Sequence, residues 1–301
     1  MLNMNEEPLV TVNILSYNRK DELRQTLKKV YEQSYKNIEV IVVDNASSDR
    51  TPEMVEEEFL DVKLIKLDKN IGIAGWNKGF EIANGEYVLV LDDDSYPDLM
   101  SIQKALDCTM KDENIGIIYM PIYNLYHNKL EGNNIDVNNP RTFIGCGGLI
   151  KSEVISKVGL YNDLLFLYEH EIEFSMRVYN EGFVIKYCPD AVIYHENSLK
   201  NRKVINKIDQ RKIYFISRNY IIILFLHFSL GNFIFFVPQL IIGRIIPSLF
   251  QGAFYNTVKG FTISILLLPS LVKKRTVLKK SIRRFYNLGN YMGRFVVEKN
   301  Y

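Results

Sequence analysis

Tyr87-Val88-Leu89-Val90-Leu91-Asp92-Asp93-Asp94-Ser95 is the stretch whose reading decides the fold. Five apolar residues, too few for a buried helix, read as a fully buried strand. Three adjacent carboxylates follow, and their mutual repulsion is costly unless a cation compensates it. Hard oxygen ligands at a strand end suit Mg2+ or Mn2+ bridging phosphate oxygens.

Outward from that strand the pattern repeats. Leu9–Leu15, Ile38–Val43 and Val62–Leu67 read as strands before it, and Ile115–Met120 as one after it. Helical patterns fall between them: Arg19–Gln33, a helix capped by Thr51 with Pro52 in its first turn, Gly75–Ala83 and Asp98–Lys111. Such alternation predicts an α/β fold, a mostly parallel sheet covered by helices. Ligands in these folds bind beyond the carboxyl ends of the strands. That directs attention to Ser16–Asn18, Asp44–Ser48, Asn70–Asn77 and Asp92–Asp94.

The chain has 301 residues, with 37 Lys+Arg against 35 Asp+Glu, a formal net charge of +2. The near-balance is a cancellation. Residues 211–301 carry 14 bases and one acid, Glu298, a net +13, which leaves −11 for residues 1–210. Two regions are therefore expected, a body over 1–210 and a C-terminal helical, membrane-associated region over 211–301. Asn219–Gly243 holds 25 residues without formal charge, bracketed by Arg218 and Arg244. That is long enough to cross a bilayer, although Gly231, Asn232 and Pro238 interrupt it and suit interfacial helices equally. Phe261–Val272 is a shorter apolar run, followed by Lys273, Lys274, Arg275, Lys279, Lys280, Arg283 and Arg284, a cluster attracted to anionic lipid. Long apolar runs between the bases argue against nucleic acid as a partner. Cys108, Cys146 and Cys188 show no CxxC spacing, and the N-terminus is polar and acidic, so a reduced, cytosol-facing chain is expected.

Single residues sharpen the reading. Asp44, directly after a buried strand, is placed to accept a hydrogen bond from the ring N–H of uracil or thymine, with Tyr17 packing on the base. Asn18, Ser47 and Ser48 serve equally well as turn and helix caps. The small residues of Asn70–Gly79 allow a ligand close to the backbone, and Trp76 within them is either a wall or a core residue. Further on, Phe143–Gly148 is glycine-rich, and Glu169, Glu171 and Glu173 stand near the start of a helix. Glu173 and Arg177 have the i,i+4 spacing of a structural pair. His195 follows a short strand, a better candidate ligand than an isolated histidine.

Seven segments in order carry a resemblance over about residues 8–200: VTVNILSYNR (10–19), VVDNASSD (42–49), NIGIAGWNKGF (70–80), YVLVLDDDS (87–95), GCGGLIKSEVISKVG (145–159), EHEIEFSMRVYNEGF (169–183) and PDAVIYH (189–195). Together they resemble the inverting family-2 glycosyltransferases of GT-A fold, and IYFISRNYIIILF (213–225) is similar to rhamnosyltransferase-like members that build bacterial surface polysaccharides. The resemblance implies that Tyr17, Asn18, Arg19, Asp44, Asn77 and Asp93 contact a UDP- or dTDP-sugar donor. It implies that Asp92, Asp94 and His195 hold Mg2+ or Mn2+, and that Gly147, Gly148, Trp76 and Glu169 face the acceptor. Glu171 falls where the family places its catalytic base, with Glu169 as rival. The implied acceptor is a lipid-linked glycan, and the implied place is an anionic membrane surface on the cytoplasmic face. The chain departs from the family at His170-Glu171, where Glu-Asp or Asp-Asp is commoner, and at Tyr161-Asn162 in place of Phe-Asp. A polyprenyl-phosphate glycosyltransferase and a sugar nucleotidyltransferase are the alternative activities.

Overall fold

The computed structural model describes residues 7–132, 135–196 and 209–286. The chain divides into two compact units, Met1–Asp163 with Glu181–Asn201, and Leu164–Asn180 with Arg202–Tyr301.

The first unit holds all the described strands. Seven form one sheet in the order β10-β6-β9-β4-β1-β2-β3. These are β1 (Val10–Ser16), β2 (Ile38–Asp44), β3 (Lys63–Lys66), β4 (Tyr87–Asp92), β6 (Ile115–Tyr119), β9 (Gly148–Lys151) and β10 (Val184–Tyr187). All neighbours are parallel except β9, which runs antiparallel between β4 and β6. The register sets Ser16 of β1 opposite Asp44 of β2, and Leu15 opposite Asp92 of β4. Three strands thus end together, and their terminal polar side chains share one edge.

Why these segments are strands follows from burial. In β1 and β4, Val10, Val12, Ile14, Leu89 and Leu91 are fully buried and join one apolar cluster. Helix α1 (Lys20–Tyr31) adds Leu23, Leu27 and Val30 to it, one face at helical spacing. Helix α2 (Thr51–Glu58) starts differently from expectation. Arg50, in the left-handed region, is its N-cap residue, and the Thr51 N–H donates to the Asp49 carboxylate at 3.1 Å. Helix α3 (Gly75–Ile82) lies close on β1. A Cβ at Gly79 would collide with the buried Asn13 side chain, whose amide donates to the Trp76 carbonyl at 2.9 Å.

A second sheet, of which the sequence suggested only the short strand leading to His195, has the order β5-β11-β7-β8: Ser95–Pro97, Ile193–His195, Ile122–Asn124 and Lys129–Leu130. Its strands are two or three residues long, below the length at which a hydrophobic period shows. Its register places His195 opposite Ser95 on one side and Asn124 on the other. Cys108, in helix α4 (Ser101–Thr109), and Cys188, between β10 and β11, are joined as a disulfide, while Cys146 is buried and takes no part in it. This departs from the expected reduced chain, because folding brings together two cysteines 80 residues apart.

Helix α5 (Ser152–Val158) belongs to the first unit, and the second unit is helical. It contains α6 (His170–Asn180), α7 (Gln210–His227), α8 (Leu230–Phe250), α9 (Phe254–Leu271) and α10 (Lys280–Tyr286). The expected boundary at 210/211 is therefore only part of the division. Leu165, Ile172 and Met176 pack with α7 into one cluster, which draws 164–180 into this unit. The uncharged run 219–243 is two helices, not one span. It breaks at Phe228-Ser229, where Ser229 accepts from Asn232 N–H as the α8 N-cap. Its first half, in α7, is buried, with Tyr220–Leu224 wholly inaccessible. Its second half, in α8, has an exposed apolar face, with Ile234 at 71% and Phe235 at 64%. The helix over Phe261–Val272 starts earlier than expected, so Leu230–Phe250 and Phe254–Lys274 are each long and apolar enough to cross a membrane. A Cβ at Gly260 would stand 2.6 Å from the Tyr214 carbonyl oxygen, so glycine lets α9 approach α7 closely.

Candidate active site

The end of β4 and the end of β11 supply three donors. One ligand atom each from Asp92, Asp94 and His195 lies within 4.8 Å of the others. Asp94 and Asp93 are buried, and His195 is largely so. The His195 ring is held from both sides. Nε2 is 3.1 Å from Asp94 Oδ1, and Nδ1 is 2.9 Å from Glu131 Oε1. Burial disfavours a charged ring, but the bonds to Asp94 and Glu131 outweigh it and push His195 up to about 10. Burial likewise opposes ionisation of Asp94, yet His195 and Arg19 hold it down at about 2. Arg19 Nη1 pairs closely with Asp94 and stands 3.7 Å from Asp93 Oδ1. Burial raises Asp93 to about 8 against the pull of Arg19. The triplet therefore carries compensating cations of its own, as its mutual repulsion requires.

Two carboxylates and one imidazole in so small a radius fit Mg2+ or Mn2+. Glu131, absent from the sequence reading, completes the arrangement as the outer partner of the histidine. It follows β8, its N–H bonds to Ile122 O at 2.8 Å, and Asn124 donates to its carboxylate at 2.6 Å. Nothing local in the sequence marks it, since its partner lies 64 residues away.

The neighbouring strand ends form the second half of the edge. Asp44 is 2% exposed. Its Oδ2 accepts from Ser47 N–H at 2.9 Å, whereas Oδ1 is buried without a partner. A buried, unused carboxylate oxygen suits a ligand N–H. Asn18, at φ 53, is fixed in a turn: its N–H donates to Ser47 Oγ and its Oδ1 accepts from Ser48 N–H. Tyr17 is 46% exposed, and its N–H donates to Asp93 Oδ2 at 3.1 Å. Asn45 clamps the following loop through Ile71 N–H and Gly72 O.

Other expected residues are occupied by packing. Asn77 uses both ends of its amide on the backbone of Tyr161, at 2.9 and 3.0 Å. Trp76 is buried edge-on to Tyr161 and donates its indole N–H to Leu91 O. Gly147 and Gly148 are buried, and a Cβ on Gly148 would stand 2.6 Å from the Phe143 ring.

In the second unit, Tyr168 and Glu169 both have φ 64, a strained pair just before α6. Asn219 of α7 stabilises the turn by donating to the carbonyls of Leu167 and Tyr168 at 2.8 and 2.9 Å. Glu171 is partly exposed in the first turn of α6, 3.1 Å from His170 Nδ1. Burial drives His170 down to about 3, so its ring is neutral. Burial raises Glu169 to about 7, against a hydrogen bond to Tyr220. Glu173 is the structural acid that its spacing predicts: it bonds Arg177 at 2.8 and 3.0 Å, and also His227 Nε2 at 2.8 Å.

Known proteins resemble this chain in both sequence and fold. The chain is 28% identical over 221 residues to "Probable glycosyltransferase YdaM" of Bacillus subtilis, covering 64% of this chain and 52% of that one. It is 29% identical to the dTDP-rhamnosyl transferase RfbF of Shigella flexneri, over 64% of this chain and 70% of that one. It is 37% identical over 91 residues to WfaP of Escherichia coli, named a UDP-Glc:alpha-D-GlcNAc-diphosphoundecaprenol beta-1,3-glucosyltransferase, covering 29% and 36% of the two chains. The chain spans about half the length, or less, of most curated relatives it matches. Its fold is GT-A-like. It matches the Pyrobaculum calidifontis mannosyltransferase PcManGT, solved with GDP-Man and Mn2+, at TM-score 0.59 and 17% identity, over 96% of this chain and 86% of that one. The model of glycosyl transferase family 2 matches residues 11–161, half of the sequence, and the chain belongs to that family.

Proposed function

We propose that this chain is an inverting, metal-dependent glycosyltransferase of cell-surface polysaccharide biosynthesis, moving a sugar from a UDP- or dTDP-sugar to a hydroxyl of a lipid-linked glycan. The observation that carries the reading is the edge where Asp92, Asp94 and His195 converge beside the unused oxygen of Asp44. Asp44 accepts the imide N–H of the base, Tyr17 packs on its face, and Asp93 contacts the ribose. Asp92, Asp94 and His195 hold Mg2+ or Mn2+, and that ion supplies charge neutralisation to the departing diphosphate. Arg19, now on Asp94, is free to move to a phosphate once another cation is present.

Glu171 acts as general base on the acceptor hydroxyl. Its partial exposure and its neutral neighbour His170 support the role, and Glu169 lies on the acceptor side. The activities for which RfbF and WfaP are named support a dTDP- or UDP-sugar and a diphosphate-linked lipid acceptor. Exposed apolar residues of α8 and the bases between Lys273 and Arg284 support attachment to an anionic, cytoplasmic membrane face. The decisive experiment screens UDP-, dTDP- and GDP-sugars for Mn2+-dependent binding and hydrolysis. Binding of none of them, with or without Mn2+, refutes the proposal, and release of pyrophosphate assigns a nucleotidyltransferase instead.

A further inference from the structure

Arg244 is the one charged residue in α8, between Leu230 and Phe250. It does not face outward with Ile242, Ile246 and Phe250, which are 54–87% exposed. Leu240 and Ser248, four residues to either side, are the buried residues of the helix, so Arg244 lies on the same inward stripe. Its guanidinium covers the ring of Tyr220 of α7 at 4.9 Å. Nε and Nη2 are shut off from solvent and have no hydrogen-bond partner among the described residues.

Those two nitrogens form the edge of a guanidinium that binds two oxygens of one phosphate or carboxylate side by side. A buried donor without a partner is expensive, and a desolvated arginine in an apolar helix marks a site rather than a scaffold. The nearby carboxyl, Glu169, stands beside Tyr220 and acts on Arg244 only through space. Lys212 also acts on Glu169 and stands 5.9 Å from the Tyr168 ring, so two cations border this turn. The backbone there is the strained Tyr168-Glu169 pair that Asn219 holds. The other side of α8 presents continuous apolar surface. An anion suited to this place has paired oxygens, more than one charge and a hydrocarbon tail.

We propose that Arg244, with Tyr220 and Lys212, forms a receptor for the diphosphate headgroup of a membrane lipid. The inference deepens the proposed acceptor reading and rests on it for its biological meaning, but the binding step is measured separately. The probe is a long-chain isoprenyl diphosphate at a few mole per cent in neutral phosphatidylcholine vesicles, with full-length protein and flotation as the readout. Wild type is expected to bind these vesicles at least tenfold better than phosphatidylcholine alone. Arg244→Met is expected to lose that increment, and Arg244→Lys, which keeps the charge but not the paired N–H edge, to lose most of it. Both variants should keep wild-type Mn2+ and nucleotide-sugar binding and wild-type attachment to vesicles with plain anionic phospholipid. Inorganic pyrophosphate competing as well as the lipid assigns the site to free diphosphate and overturns the lipid part. Equal flotation of wild type and both variants overturns the site. Should Arg244→Met fail to fold, the Lys variant decides alone. Specific flotation without sugar transfer to any lipid-linked glycan leaves the receptor standing and refutes the acceptor reading.

Discussion

The proton on His195 competes with any metal at that site, and the structure fixes the strength of the competition. Both ring nitrogens face carboxylates, at 2.9 and 3.1 Å, and the ring titrates at about 10. At pH 7 that leaves about three units, or roughly 4 kcal/mol, to be overcome before Nε2 is available as a ligand. One proton must therefore leave for each Mn2+ bound through His195, and the dissociation constant should fall about tenfold per pH unit. Between pH 6.5 and 8.5 the gain is about 100-fold. Asp93, at about 8, adds up to one further proton below that pH, but this part persists when His195 is removed. The assay is titration of free Mn2+ by electron paramagnetic resonance, without nucleotide, for wild type and His195→Ala. The slope of log Kd against pH should be smaller by about one in the variant. Equal slopes would show that His195 keeps its proton and is no ligand.

Further outcomes follow from the same geometry. Glu131→Gln should weaken Mn2+ binding by about 10–100-fold in the same titration, with the fold unchanged by circular dichroism. Asp44→Ala should weaken UDP binding by about tenfold or more while leaving Mn2+ affinity intact, as measured by calorimetry. Glu171→Gln should lower transfer about 10²–10⁴-fold with donor binding preserved, and near-normal turnover would remove it as the base. Glu173 is held at about 2, Arg177 and His227 outweighing burial, so its folded pKa lies below the unfolded one. Its contribution is full above about pH 4.5 and is lost as pH falls toward 2. Glu173→Gln should cost about 3 kcal/mol or more at pH 7 in urea unfolding, and the loss should shrink across that acidic window.

Much of the first unit was legible because its information is local. A run such as Ile38–Asp44 is a buried strand whatever surrounds it, and the polar residue that ends it falls at the sheet edge. The sequence segments also brought Asp92, Asp94 and His195 into one expected set, which the structure assembles. Asn77 and Trp76 stand in helix α3, and their side chains turn to Tyr161 and Leu91, choices set by packing at long range. Glu131 was invisible, since a glutamate after a two-residue strand has no pattern of its own.

The tail shows the same division. Its charge and hydropathy are additive properties of composition, so the sequence alone determined that an acidic body precedes a basic, apolar region. Only the tertiary structure decided that one uncharged run is two helices, one buried as α7 and the other exposed as α8. It likewise decided that 164–180 groups with the tail, and that Arg244 lies inward on Tyr220 with one edge unused. The physical reason is that a side chain's partners are set by which surfaces meet, and those surfaces come from positions far apart along the chain.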